Sequence, residues 1–225
     1  MRPLSVRLQF IFDSVSNGAN VADIGTDHAY LPIALSLSDK CQKIIACDIK
    51  EKPLEKAKEN IQKFGIKNID TRLGNGLSPV KKGEVDTVII AGMGGEVISE
   101  IINSCPWAKD QGITFLLQPM TSAELLRLYL FDNCFEIMKE TALIDQGKIY
   151  TVMSVKYNGN KTQYEVGAQF IGKVKADTEE GRLYILKQLK RIDSCLEDIS
   201  KIKDKQKDTQ YYTGVKKYIE KILEQ

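Results

Sequence analysis

The sequence predicts an α/β fold: a mostly parallel sheet with helices on both faces, followed by an antiparallel helical hairpin at the C-terminus. Three observations carry this. Short apolar runs alternate with amphipathic stretches over the first 160 residues, the order that builds parallel strands joined by crossover helices. The runs end in glycine-rich or acidic loops, and right-handed crossovers place such loops on one edge of the sheet. After residue 160 the strand pattern stops, and apolar residues return at helical spacing.

Each element has its own justification. Leu4, Leu8, Ile11, Phe12 and Val15 share one face of a helix over 4–16, which Asn17-Gly18-Ala19-Asn20 ends. A first strand covers 21–24. Residues 30–38 read as the first crossover helix, with Pro32 tolerated in its first turn. A second strand, 43–47, leads to a helix over 52–64 with Pro53 near its start and Gly65 just past its end. A short strand at 68–72 runs into the loop Leu73-Gly74-Asn75-Gly76-Leu77. The strongly apolar 85–91 is the fourth strand, and Gly92-Met93-Gly94-Gly95 turns it into a helix over 96–103. A fifth strand, 114–117, is stopped by Gln118-Pro119. A helix over 122–133 precedes two strands, 135–143 and 148–157, that read as an antiparallel pair.

Beyond Asn158-Gly159-Asn160, the residues Ile185, Leu189, Ile192, Leu196 and Ile199 recur at spacings of four and three, a coiled-coil seam. Tyr212, Val215, Ile219 and Ile222 repeat it. Neither run is long enough for a fibrous coiled coil, so the pattern predicts two helices that turn back within 203–210 and pack on the main domain. The expected division is therefore 1–160 and 161–225.

The bulk numbers are consistent with that plan. A chain of 225 residues with 43% hydrophobic content suits one sizeable α/β domain and an appendage. Thirty-two basic residues against 30 acidic ones leave a formal charge of +2, and the tail after residue 160 has only a weak basic excess. No apolar run has the length of a membrane span, and the N-terminus lacks the apolar core of a signal peptide. The five cysteines show no Cys-x-x-Cys spacing and read as buried, reduced thiols of a cytoplasmic protein. One histidine in the whole chain argues against a structural zinc site, and no metal is expected.

The candidate chemistry sits at the strand ends. Val21-Ala22-Asp23-Ile24-Gly25-Thr26-Asp27-His28 followed by Ile44-Ile45-Ala46-Cys47-Asp48 is the layout of a nucleoside-cofactor site. Gly25 brings the backbone close to a ligand, and Asp48 is placed to accept two ribose hydroxyls. Ile49 follows it and counts with the cofactor residues. The turn lacks Gly-x-Gly-x-x-Gly, and Asp27 stands where a second glycine is expected. A carboxylate there repels a pyrophosphate, so a dinucleotide fits poorly. A ligand with a ribose, a positive charge and no phosphate fits better, and S-adenosyl-L-methionine is such a molecule. Asp23 holds the Gly25 loop and meets the ligand's ammonium, directly or through water, or else is simply a helix-cap or loop-bracing carboxylate. Asp27 is either the N-cap of the next helix or a carboxylate aimed at the cationic end of the cofactor or at the substrate base. His28 is read with the cofactor residues rather than as a base, since a lone histidine commonly serves as a structural hydrogen-bonder. Asn75-Gly76 is a turn whose amide can also meet an adenine edge. Ala91, Gly92, Met93 and Gly94 leave room at the central strand for two ligands to meet.

Together with Leu4-Ser5-x-Arg7-Leu8 and Gln118-Pro119, the strings Asp23-Ile24-Gly25-Thr26-Asp27-His28-Ala29-Tyr30-Leu31-Pro32, Gly74-Asn75-Gly76-Leu77 and Ala91-Gly92-Met93-Gly94-Gly95 resemble the TrmK family over nearly the whole chain. That resemblance implies a class I, Rossmann-like methyltransferase domain followed by a coiled-coil domain. It also implies a tRNA substrate methylated at N1 of adenosine 22, in the D-arm region. The usual Gly-x-Gly-x-Gly turn is replaced here by Gly25-Thr26-Asp27-His28-Ala29, and the Asn/Asp-Pro-Pro-Tyr loop of amino-methylating enzymes by Ala91-Gly92-Met93-Gly94. Catalytic roles therefore do not transfer from those enzymes.

Adenine N1 carries a lone pair and needs no strong base, so the expected work is alignment and tolerance of the charge that grows on the ring. Asp27 is the candidate for that charge. Tyr30 is the candidate for stacking on an extruded base, its alternative being a core or rim aromatic. Lys187, Lys190, Arg191 and the basic run over 201–207 are candidate phosphate contacts, with a solvated helix surface as the alternative for each. Deleting 161–225 is expected to leave cofactor binding intact and abolish tRNA methylation. A monomer is expected. The rival readings are a small-molecule methyltransferase, a nicotinamide enzyme, which Asp27 disfavours, and a non-catalytic RNA-binding protein.

Overall fold

The computed structural model describes residues 3–202 and 205–224. Seven strands form one sheet in the order β3-β2-β1-β4-β5-β7-β6. They are β1 (Ala19–Ile24), β2 (Cys41–Asp48), β3 (Ile69–Leu73), β4 (Thr87–Gly94), β5 (Thr114–Thr121), β6 (Phe135–Asp145) and β7 (Lys148–Tyr157). The first five are parallel, and β7 pairs antiparallel with both β5 and β6. The helices are α1 (Val6–Ser14), α2 (Tyr30–Leu37), α3 (Glu51–Lys63), α4 (Gly95–Asn103), α5 (Ala123–Asp132), the single turn α6 (Ala168–Ile171), α7 (Glu179–Ser200) and α8 (Gln206–Leu223).

The alternating apolar runs bury both faces of the sheet. On one face Ile24, Ile90 and Phe115 pack under Ile98 of α4 and Leu126 and Leu130 of α5. On the other, Val21, Ile44 and Ile89 pack under Ile11 of α1 and Leu31 and Leu35 of α2. Side chains of this size stabilise the fold by about 1.5–3 kcal/mol each when fully buried. The five cysteines are free, and burial pushes the Cys47 thiol up to about 12.

Two expectations at strand ends are corrected. Gly92-Met93-Gly94 is not a turn into a helix: β4 runs on to Gly94, and α4 starts at Gly95. Gln118-Pro119 does not stop β5, which continues to Thr121. The two departures share one cause. Opposite Pro119 the β4–β5 register shifts on either side of Met93, so this irregular rung tolerates a residue with no N–H to give.

The hairpin is present. α7 and α8 pack together through Ile185, Ile192, Val215 and Ile219, and this cluster includes Ala142 of β6 and Phe170 of α6. The expected turn within 203–210 is narrowed by the start of α8 at Gln206; residues 203 and 204 lie outside the described residues. Beneath the hairpin lies a buried ion pair. Arg127 of α5 meets Glu140 of β6 at 2.6 Å, and the guanidinium also donates to the carbonyls of Gln169 and Phe170 and to the Tyr184 hydroxyl. A bulge between Ile137 and Lys139 shifts the strand's alternation by one, so that Glu140 and not Lys139 faces α5. Among the described residues no helix is long and apolar enough to cross a membrane.

Candidate active site

A cleft of about 290 Å³ opens where β1 and β4 end side by side at the centre of the sheet. β1 passes at Ile24 into Gly25, whose φ of +79° suits glycine alone without strain. The N–H groups of Gly25 and Thr26 both donate to the Cys47 carbonyl, at 2.8 and 3.0 Å, which ties the turn to the end of β2. The chain then makes a tight 3-10 turn, Asp27–Ala29, in which His28 and Ala29 take φ of +62° and +57°. Two successive left-handed non-glycine residues store strain. Asn60 of α3 steadies them by donating to the His28 carbonyl at 3.0 Å.

Six of the expected residues line this cleft: Asp23, Gly25, Asp27, Tyr30, Ala91 and Gly92. Asp23 is buried, and burial raises its carboxyl to about 6. The nearby Thr26 hydroxyl opposes that rise, and the charge of Asp48 adds to it. Among the described residues no cation pairs with Asp23, and the buried Thr26 hydroxyl makes no hydrogen bond of good geometry. Asp27 caps nothing: neither the 3-10 turn nor α2 receives a side-chain cap. Its carboxylate is 73% exposed at the cleft mouth and meets His28 Nε2 at 3.3 Å. The His28 ring stacks on Tyr30 with centroids 5.4 Å apart, and its Nδ1 is buried without a partner among the described residues.

The other expected residues stand around the cleft rather than in its lining. Asp48 ends β2 beside the Gly25 turn, one oxygen accepting the Lys50 N–H at 2.8 Å. Ile49 is exposed next to it. Asn75 is exposed, and its carbonyl accepts the Ser78 N–H, as a turn requires. Gly76 is buried against Ile101 of α4. Gly94 hands β4 over to α4. Met93 folds its methyl group onto Gly25 and fills the space a Cβ would need there, so Gly25 serves a packing contact as well as an open cleft.

Four further lining residues were given no role in the sequence reading, although all of them fall within the strings that carry the family resemblance. Arg7, Leu8, Thr26 and Leu31 also line the cleft. Arg7 Nε meets Asp145 at 2.6 Å, and its Nη1 donates to Gln118 Oε1 at 2.7 Å. The same oxygen accepts the Gly92 N–H at 3.2 Å. Gln118 and Asp145 are both buried, so one network joins α1, β4, β5 and β6 beneath the cleft. The signal for it was a charge on an apolar helical stripe, since Arg7 lies three residues after Leu4 and four before Ile11. Among the described residues no group of three or more His, Cys, Asp or Glu side chains is placed to hold a metal ion.

The arrangement accepts a ligand that brings its own positive charge to Asp23, and it disfavours an anion beside Asp23 and Asp27. Comparison with known proteins gives the family. The family described as a methyltransferase domain matches residues 4–153. The tRNA (adenine(22)-N(1))-methyltransferase of Bacillus subtilis is 33% identical over 215 residues, covering 92% of this chain and 90% of that protein. The solved B. subtilis m1A22 tRNA methyltransferase TrmK superposes with a TM-score of 0.86 at 29% identity, covering 98% of this chain and 99% of that one. The M. capricolum TrmK, solved in complex with S-adenosyl-homocysteine, superposes with a TM-score of 0.82 at 30% identity over 98% of this chain and all of that one.

Proposed function

Because this chain belongs to the family of tRNA (adenine(22)-N(1))-methyltransferases, we propose that it transfers the methyl group of S-adenosyl-L-methionine to N1 of adenosine 22 in tRNA. The observation that carries the cofactor assignment is Asp23, a buried carboxyl with no cation among the described residues, opening on the cleft. A methionine ammonium supplies that cation. Asp48 takes the ribose hydroxyls, with Ile49 and Asn75-Gly76 along the same strand ends as the adenine side of the site. Gly25, His28, Ala91, Gly92, Met93 and Gly94 shape the space between.

When bound, the cofactor supplies an electrophilic methyl group on a sulfonium. The residues of this chain then have three tasks. The Arg7–Gln118–Gly92 network fixes the cleft's far wall, so that the substrate ring meets a rigid surface. Asp27, exposed at the mouth and in contact with His28, offers a carboxylate to the charge that grows on adenine when N1 is alkylated. Tyr30 offers a ring face to the base, a contact worth about 1–3 kcal/mol. In a paired arm N1 is engaged with its partner base, so the adenosine leaves the stack before it reaches Tyr30.

Residues 1–160 carry the cofactor and the chemistry, and 161–225 meets the tRNA, in its D-arm region. The enzyme acts as a monomer in the cytoplasm, a setting that suits five free thiols. Methyl transfer from labelled S-adenosylmethionine to unmodified tRNA transcripts tests the function. Incorporation that disappears when adenosine 22 is replaced is the expected result. Cofactor binding with no incorporation into any tRNA would overturn the substrate and favour a small-molecule methyltransferase.

A further inference from the structure

On the far side of Arg7 a trough runs between α7 and the ends of β5 and β7. Two hollows, of about 190 and 630 Å³, share Met120, Thr121, Ile149, Tyr150 and Lys187 and so are continuous. Arg7 is the partition between trough and cleft. It lines the cleft, its Nη1 lies 3.0 Å from Met120 Sδ, and its guanidinium stands 4.9 Å from the centre of the Tyr150 ring.

The walls of the trough have a definite chemistry. Lys187 of α7 and Lys148 of β7 border it, both exposed and, among the described residues, without an ion-pair partner. Arg191 also lines it but is held by Glu124 at 2.6 Å, which neutralises the one carboxylate there. The start of α5 opens into it, and Ser122 gives that helix no side-chain cap. Thr151 lines it too, and its buried hydroxyl has no partner among the described residues. Between the lysines lies an apolar and aromatic floor of Met120, Ile149 and Tyr150.

Free ammonium groups beside a flat apolar surface suit one kind of occupant, a nucleic-acid strand, whose phosphates meet the lysines while a base lies on the ring. We propose that this trough holds the nucleotides flanking the adenosine to be methylated, with their phosphates on Lys148 and Lys187 and a neighbouring base on Tyr150. The proposal rests on the tRNA methyltransferase reading and gives the RNA its path. Position favours these lysines over the hairpin tip. Lys187 lies 13 residues before the end of α7, so the tip is roughly 20 Å further out at 1.5 Å per residue. Near that tip Lys201 pairs with Asp198 and Lys205 with Asp208.

The test measures tRNA methylation kinetics at several salt concentrations for Lys148→Glu, Lys187→Glu and the double variant. The double variant is expected to raise the KM for tRNA about tenfold and to flatten its salt dependence by about one unit of slope per lysine. Cofactor affinity and thermal stability stay at wild-type values, and Lys148→Arg with Lys187→Arg retains the wild-type KM. The control is Lys67→Glu, exposed at the opposite edge of the sheet, which leaves the KM unchanged. An unchanged KM in the double variant would overturn the trough, and so would an equal rise in the control. A wild-type protein that binds cofactor but methylates no tRNA would bring down the functional reading itself, and that is visible before any variant is made.

Discussion

Asp23 and Glu140 are both buried carboxylates, at 7% and 5% exposure, yet the fold treats them in opposite ways. Under the hairpin, Glu140 receives Arg127 through three contacts of 2.6–3.2 Å and the Lys173 N–H at 3.1 Å. Burial works against the Arg127 charge, but Glu140 and Tyr184 outweigh it and hold the guanidinium charged. At the cleft, Asp23 has no such partner among the described residues, and its carboxyl is pushed up to about 6. Where two parts of the chain must stay locked, the sequence provides both charges. At the cleft it provides one, the charge that the proposed cofactor's ammonium would complement.

Breaking the locked pair has the largest expected effect. Arg127→Met strands Glu140 in the core and should cost about 3–5 kcal/mol, read from urea unfolding. Adding Glu140→Met should recover most of that loss, because an apolar pair of similar volume needs no partner charges. If the double variant is no better than the single one, packing rather than charge holds the joint.

Asp23 gives the reverse sign. Its folded pKa lies above the unfolded value of about 3.9, so its favourable contribution is whole below about pH 4 and is lost as pH rises through about 6. Above that range the charged form costs about 3 kcal/mol in the ligand-free protein. Asp23→Asn should therefore stabilise the ligand-free protein by about 2–3 kcal/mol at pH 8 and hardly at all at pH 4. Unfolding at the two pH values measures the difference, and an equal gain at both would remove charge as the cause. The variant should bind S-adenosylmethionine more weakly, and wild-type affinity should climb as pH rises through about 6.

Two smaller effects sharpen the contrast among the acids of the cleft edge. Asp48→Ala is expected to weaken cofactor binding about thirtyfold, the loss of hydrogen bonds to a charged acceptor, as isothermal titration would record. Asp27→Ala should lower kcat about tenfold with cofactor affinity within twofold. Equal losses in both quantities would reduce Asp27 to a residue that shapes the cofactor loop.

Much of this was legible because it rests on periodicity. The order of strands and helices, the antiparallel final pair and the hairpin seam all follow apolar spacing, which burial enforces. The strand-end acids were legible because a carboxylate closing an apolar run is conspicuous. What escaped depends on contacts between distant segments. No local pattern announces that His28 and Ala29 are left-handed, since Asn60 and the tie to Cys47 hold them so. α6 is a single turn with no period of its own. The extension of β5 past Pro119 depends on the register of β4. Arg127 did leave a trace, one charge in Leu125-Leu126-Arg127-Leu128-Tyr129-Leu130, but its partner sits 13 residues on, and only the bulge near Met138 turns that partner inward.

The Arg127 joint gathers α5, β6, α6 and α7 around one guanidinium, so α7 is tied to the sheet through Tyr184. That makes the helix the fixed jaw of a caliper. If RNA is gripped along α7 as proposed, the nucleotide brought to the cleft would be chosen by its distance from the grip and not by the letters around it. Such an enzyme would accept changes of sequence beside its target more readily than the insertion or loss of a single nucleotide.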